Sequence, residues 1–270
     1  MNKRQKILIA GAALFAALFL FSGMMLEWQY MDGKQSADTF ETVADLVKPD
    51  ETPRPGTNHS QTGSNIGEID PALMAFEKYA AVYEQNRDFV GWISIDGTNI
   101  NYPVMQTIDN PDYYLKHGFD KQYSNYGVPY VQENCALDIS DNVVIYGHHM
   151  NNGSMFADLC KYESAEFYRE HTTIRFDTLS GFGEYEIVAV FKTVAYSEQG
   201  FKSYHFVDAA GEDDFNAFVS RCKALALYDT GVGAEYGDKL LTLSTCEYSR
   251  ANGRMVVVAK LTTPEAGGNA

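Results

Sequence analysis

The sequence predicts a mainly β domain with peripheral helices, carried behind an N-terminal apolar segment. Three observations carry that prediction. Residues 240–261, LLTLSTCEYSRANGRMVVVAKL, set two β-branched-rich runs around a polar connection that ends in glycine, the pattern of an antiparallel hairpin. Residues 89–95, FVGWISI, and 100–105 flank an Asp96-Gly97 turn signal, a second hairpin. Residues 142–147, NVVIYG, are a short apolar run closed by glycine, which suits a buried strand.

The remaining elements fill in around these. Asp70-Pro71 opens a helix, with proline at the first helical position, and Leu73, Phe76, Tyr79, Ala80 and Tyr83 give residues 72–86 one apolar face. DNPDYYLKH at 109–117 reads as a turn leading into a short helix or loop, and 126–132 as another strand. Residues 154–162 and 164–171 carry short helical patterns. The runs 173–178 and 185–193 make a strand pair around a Gly181–Gly183 turn. A polar, aromatic loop, AYSEQGFKSYH, follows at 195–205. Residues 211–228 then begin with acidic side chains, which favour a helix N-terminus, and place Phe215, Phe218, Val219, Cys222 and Leu225 at helical spacing.

The N-terminus divides the chain further. Residues 1–6 hold Lys3, Arg4 and Lys6; residues 7–26 are uncharged and apolar over about the 20 residues needed to cross a bilayer; Glu27 and Asp32 follow. The basic flank keeps residues 1–6 cytoplasmic and makes 7–26 an uncleaved signal-anchor rather than a cleaved signal peptide, for which the apolar core is long and Ser22-Gly23-Met24 a poor cleavage site. Residues 27–69, polar and punctuated by Pro49, Pro53 and Pro55, read as a flexible extracellular linker. Residues 70–263 form the folded domain and 264–270 a disordered tail.

Composition narrows the function. A net charge of −15 argues against nucleic-acid binding, which wants a basic footprint. The four cysteines, Cys135, Cys160, Cys222 and Cys246, show no CxxC or metal-ligand spacing, so this is not a disulfide scaffold. Cys160 and Cys222 fall in helical patterns and read as core residues. His148 and His149 are adjacent on a strand, point to opposite faces, and make a poor ligand pair for one ion. No cofactor motif, Walker loop or GxSxG is present.

Chemistry concentrates at strand ends. Cys246 closes one hairpin strand and Arg254 opens the next, so an antiparallel return brings them together. Alternation places Leu240, Thr242, Ser244 and Cys246 on one face, with Leu241, Leu243 and Thr245 on the other. A free thiol is only a few per cent thiolate at neutral pH and needs a base such as His148 beside it. Cysteine, histidine and arginine make a constellation of nucleophile, proton carrier and oxyanion stabiliser. From these residues alone, a cysteine that is merely a small buried hydrophobe stays open.

TLSTC at 242–246, the strand RMVVVAK beginning at Arg254, and IYGHHM at 145–150 resemble a sortase of class B over residues 72–263. The resemblance implies a closed eight-stranded β-barrel with an N-terminal helix and a long helix before the cysteine strand. It implies Cys246 as nucleophile, His148 as general acid–base and Arg254, not the loop residue Arg250, as the oxyanion or substrate-orienting arginine. It also implies peptide contacts at Leu115, Phe201, Ser244, Thr245 and Glu247, although Thr245 faces away with Leu243. The implied reaction is cleavage of a C-terminal sorting motif (NPxTN-like or SPxTG/PPxTG-like) after threonine. A thioester passes the surface protein to a peptidoglycan amine at the membrane, without a cofactor or metal. A secreted cysteine peptidase that mainly hydrolyses and an inactive wall-peptide-binding module are the rival readings. A pilin-polymerising enzyme would carry a lid and a second, C-terminal apolar stretch, neither of which is evident.

Overall fold

A computed structural model describes residues 2–49, 70–196 and 200–262. Eight strands close into a barrel: β1 (Phe89–Ser94), β2 (Asn101–Met105), β3 (Tyr130–Val131), β4 (Asn142–Tyr146), β5 (Thr173–Thr178), β6 (Glu184–Val194), β7 (Leu240–Glu247) and β8 (Gly253–Leu261). Around the barrel they run β1-β2-β3-β4-β7-β8-β6-β5, and β5 pairs back onto β1. Closure leaves no edge strand to pair with other chains.

The expected hairpins form. β1 pairs antiparallel with β2 and β5 with β6. β7 pairs with β8 in a register that sets Leu241 opposite Ala259 and Cys246 opposite Arg254. The third strand is shorter than the 126–132 run, because only Tyr130 and Val131 reach the ladder. Two neighbours are parallel, β2 with β3 and β4 with β7, and the latter sets Tyr146 beside Ser244. A parallel pair needs a long crossover; here the short helix α3 (Ala165–Glu170), β5, β6 and the helix α4 (Glu212–Leu225) lie between β4 and β7.

Alternation along the strands sorts side chains into three cores. The barrel interior takes Ile93, Val104, Ile145, Leu241, Leu243, Met255 and Val257. The outer surface of β6, β7 and β8 presents Val188, Leu240, Val256 and Val258 to Phe215, Phe218 and Cys222 of α4. The helix α2 (Pro71–Gln85), capped by the Asp70 carboxylate on the Ala72 amide, lays Tyr79 and Val82 over Phe89 and Trp92. Burying one such aromatic or aliphatic side chain contributes roughly 1.5–3 kcal/mol.

The expected linker 27–69 is corrected at its start. A single helix, α1, runs from Lys3 to Ala44, through the apolar stretch and well past it. Its last turns are packed: Phe40 meets Tyr102 edge-on at 5.1 Å and Val43 is buried in the same core as Tyr79 and Phe89. Residues 50–69 and 263–270, where the rest of the linker and the tail fall, lie outside the described residues.

Candidate active site

The site is assembled at the ends of β4, β7 and β8. Cys246 and Arg254 are register partners on adjacent antiparallel strands, so their side chains share a face. That face is the outer one: further along, it carries Leu240, Val256 and Val258 beneath α4. Ser244 lies on it, nearly buried, two residues before the cysteine. Arg254 donates to the Gly253 carbonyl at 2.9 Å and forms no ion pair with any described carboxylate, which leaves most of its fork available beside the thiol.

β4 delivers the histidine. The ladder that sets Tyr146 beside Ser244 runs one residue further, where the Gly147 amide donates to the Ser244 carbonyl at 3.2 Å. His148 then follows Tyr146 by two residues, as Cys246 follows Ser244. Gly147 is required by contact: a Cβ there would stand 2.5 Å from the Phe156 ring. The His148 Nε2 lies 2.7 Å from the Leu115 carbonyl, and a carbonyl only accepts. Nε2 therefore carries the proton, and Nδ1 is the basic nitrogen of the neutral ring. Burial lowers the His148 pKa from its ordinary 6.5, the nearby Lys116 charge lowers it further, and the Leu115 bond opposes them.

The other face of β7 is a structural layer. Thr245 donates to the Gly147 carbonyl at 2.8 Å, stitching β7 to β4. Glu247 is buried and pairs with Lys192 at 3.3 Å; the Ser249 hydroxyl and amide donate to it at 2.7 and 2.9 Å. Burial pushes the Glu247 carboxyl up, but the Ser249 and Lys192 contacts outweigh it and leave the pKa lowered. His149 lies on this side, its Nδ1 3.1 Å from the Cys246 carbonyl and 3.3 Å from the Cys160 Sγ. The Tyr248 hydroxyl donates to the His149 carbonyl at 3.0 Å.

Of the residues expected to meet a peptide, the structure thus keeps Ser244 on the cysteine face and turns Thr245 and Glu247 away from it. Phe201 lies half-buried on that same outer surface, its ring 5.8 Å from Phe191 and 5.9 Å from Phe218, pinning the loop to β6 and α4. Leu115, 37% exposed, sits in a 3-10 turn at Tyr113–Leu115 and reaches His148 through its carbonyl.

Alternation placed His149 on the face opposite His148, as found, but sequence reasoning, which read Cys160 as a core residue, missed that its thiol meets His149 behind Cys246. Cys160 sits on a 3-10 segment, Ala157–Glu163, directly behind the nucleophile strand, its Sγ 3.8 Å from the Cys246 carbonyl. No motif marks it; only the fold brings it there. Burial pushes the thiols of Cys135 and Cys160 up to about 11 and of Cys222 up to about 12, which keeps all three protonated. Cys246 is the cysteine that shares a face with the arginine. Among the described residues no group of three or more His, Cys, Asp or Glu side chains is arranged to hold a metal ion.

Comparison with known proteins gives one consistent family. Residues 93–262 match the sortase domain model. The chain is 31% identical over 251 residues to sortase B of Listeria monocytogenes, covering 91% of this chain and 93% of that protein. It is 32% identical over 187 residues to sortase B of Staphylococcus aureus, covering 68% and 74%. The structure of a Staphylococcus aureus sortase B–substrate complex superimposes with a TM-score of 0.69 at 25% identity, over 87% of this chain and 99% of that one.

Proposed function

The chain belongs to the sortase family, class B, and from that premise we propose that Cys246, His148 and Arg254 carry a cysteine transpeptidation at the outer face of the barrel mouth. The observation that carries the reading is the pairing of Cys246 with Arg254, with His148 arriving in parallel register from β4. The Cys246 sulfur attacks the threonine carbonyl of a C-terminal sorting motif. Negative charge collects on the carbonyl oxygen, and the Arg254 guanidinium, always charged, donates to it. Collapse breaks the peptide bond after threonine. His148, which takes the thiol proton as the sulfur attacks, passes it to the departing amine, and a thioester remains on Cys246. An incoming amine then gives a proton to His148 and attacks the thioester; the C–S bond breaks, His148 returns the proton to the departing sulfur to restore the thiol, and the surface protein is joined to the amine.

The histidine's environment suits both halves of this cycle. Its lowered pKa makes the neutral ring a ready base, and the imidazolium formed transiently is a strong acid for the leaving amine. Substrates of this reading are surface proteins with an NPxTN-like or SPxTG/PPxTG-like signal, and the acceptor is a peptidoglycan amine. Ser244 and Leu115 border the cysteine and the histidine and contact the bound motif. The apolar part of α1 crosses the membrane with residues 1–6 in the cytoplasm and the barrel outside.

Full-length protein incubated with fluorogenic NPxTN, LPxTG, SPxTG and PPxTG peptides, with and without an amine acceptor, tests the reading. Mass spectrometry should find cleavage after threonine and transfer to the amine, with none for Cys246→Ala. Cleavage by Cys246→Ala at the native rate would sink the assignment, and hydrolysis unaffected by acceptor would replace transpeptidase with peptidase.

A further inference from the structure

α1 changes character at Asp32. From residue 7 to Met31 nearly every side chain is exposed, and the apolar window has none of its surface buried in the protein. From Asp32 onward, Asp32, Ser36, Phe40 and Val43 fall at spacings of three and four and turn onto the barrel, one stripe of a helix. The docking is specific. The Asp32 carboxylate accepts from the Asn125 amide at 2.9 Å and from its side chain at 3.2 Å. Gly33 lets the helix backbone lie against Tyr126, whose hydroxyl would be 2.4 Å from a Cβ at this position. Trp28 stacks on Tyr123 with centroids 6.1 Å apart and planes 11° from parallel.

This geometry fixes a height. At 1.5 Å per residue, Asp32 stands about 9 Å beyond Leu26, the end of the apolar run, and Trp28 about 3 Å beyond it. The headgroup layer on each side of a bilayer is roughly 5–7 Å deep, and Trp and Tyr concentrate there. Trp28 thus falls in that layer, and Tyr123, 56% exposed and stacked on it, falls there too. Lys116 and Lys121 belong to the same loop; Lys121 is paired with Asp88 at 2.8 Å, so contact with phosphates falls to Lys116, which donates to Asn125 at 3.3 Å.

We propose that the loop 116–126 is a membrane-contact surface that seats the barrel on the phospholipid headgroups, with α1 as a rigid post rather than a tether. The proposal rests on the reading of α1 as a membrane anchor. The seat connects to the site: Tyr123 bridges His117, the His117 ring stacks on Tyr113 at 3.9 Å, and that turn ends at Leu115, whose carbonyl holds His148. The site is therefore held at a fixed height above the bilayer.

Full-length protein in vesicles of phosphatidylcholine and phosphatidylglycerol, doped with a headgroup-level diazirine lipid, tests this by irradiation, digestion and mass spectrometry. Adducts are expected both on α1 near Trp28 and on residues 116–126. Adducts on α1 alone would overturn the seating while sparing the anchor; none on either would overturn the anchor reading and the seating with it. Gly33→Leu, which drives a side chain into Tyr126, should bring the 116–126 adducts to background while those on α1 persist. Asp32→Ala, which removes the bonds to Asn125 without adding bulk, should lower them. Unchanged adducts in both variants would overturn the rigid coupling, and a native thermal midpoint for Asp32→Ala separates undocking from misfolding.

Discussion

His148 and His149 are chain neighbours in different chemical settings. His148 stands at the mouth with the Cys246–Arg254 pair, its Nε2 fixed by the Leu115 carbonyl and its Nδ1 left basic. His149 turns to the opposite side, where it contacts the Cys246 carbonyl, the Cys160 thiol and the Tyr248 hydroxyl. The same division separates Ser244 and Cys246 from Thr245 and Glu247 one strand away. One residue of offset in a strand separates the face that meets substrate from the layer that holds the backbone in place. Proximity to the nucleophile is thus a poor guide to role, since His149 and Cys160, which touch the Cys246 carbonyl, do so from the structural side.

Substitutions can break this comparison. The largest effect is expected for Cys246→Ala, which should abolish acyl-enzyme formation by mass spectrometry while the thermal midpoint and circular dichroism stay native. Cys160→Ala, on the other face, should retain turnover, and its inactivation would mean that the hidden thiol shares the chemistry. Next, His148→Ala should lower kcat/KM by about 10²–10⁴, the usual contribution of a general acid–base. His149→Ala should cost far less, and the reverse ranking would assign the chemistry to the inner histidine. Arg254→Ala should lower kcat by about 10²–10³ if the guanidinium stabilises the oxyanion, and Arg254→Lys should not restore it fully because the fork is lost.

Smaller effects sharpen the comparison through pH. The folded His148 pKa lies below its unfolded value of 6.5, so the unfolded chain takes up the proton more readily. Its contribution is neutral to stability well above pH 6.5 and becomes destabilising as pH falls through and below that value. Denaturant titrations should show a shallower loss over this range in His148→Ala. Glu247 has the opposite arrangement. Its folded pKa is lowered, so its stabilisation is present above the ordinary 4.5 and lost as pH falls through the folded value. Glu247→Gln should therefore lose stability at neutral pH and flatten the acid limb, with little change in kcat. A large fall in kcat instead would place Glu247 at the substrate.

The hairpin 240–261 determined by itself that Cys246 and Arg254 face each other, because antiparallel register is set by a short connection. Alternation through Tyr146, Gly147 and the two histidines likewise separated His148 from His149, and helical spacing found α2 and α4. The tertiary structure alone decided what lies far apart in sequence. The parallel pairing of β4 with β7 follows from barrel closure, which no local pattern encodes. The Leu115 carbonyl on His148 is a backbone contact and leaves no residue-type signal. Cys160 behind Cys246 is placed by the 3-10 segment that crosses the back of the strand. The docked end of α1 was hidden for another reason. Its docked stripe of Asp32, Ser36, Phe40 and Val43, of which Val43 is buried and the others half-buried, mixes polar with apolar side chains, so hydropathy shows a linker where hydrogen bonds and close backbone approach build an interface.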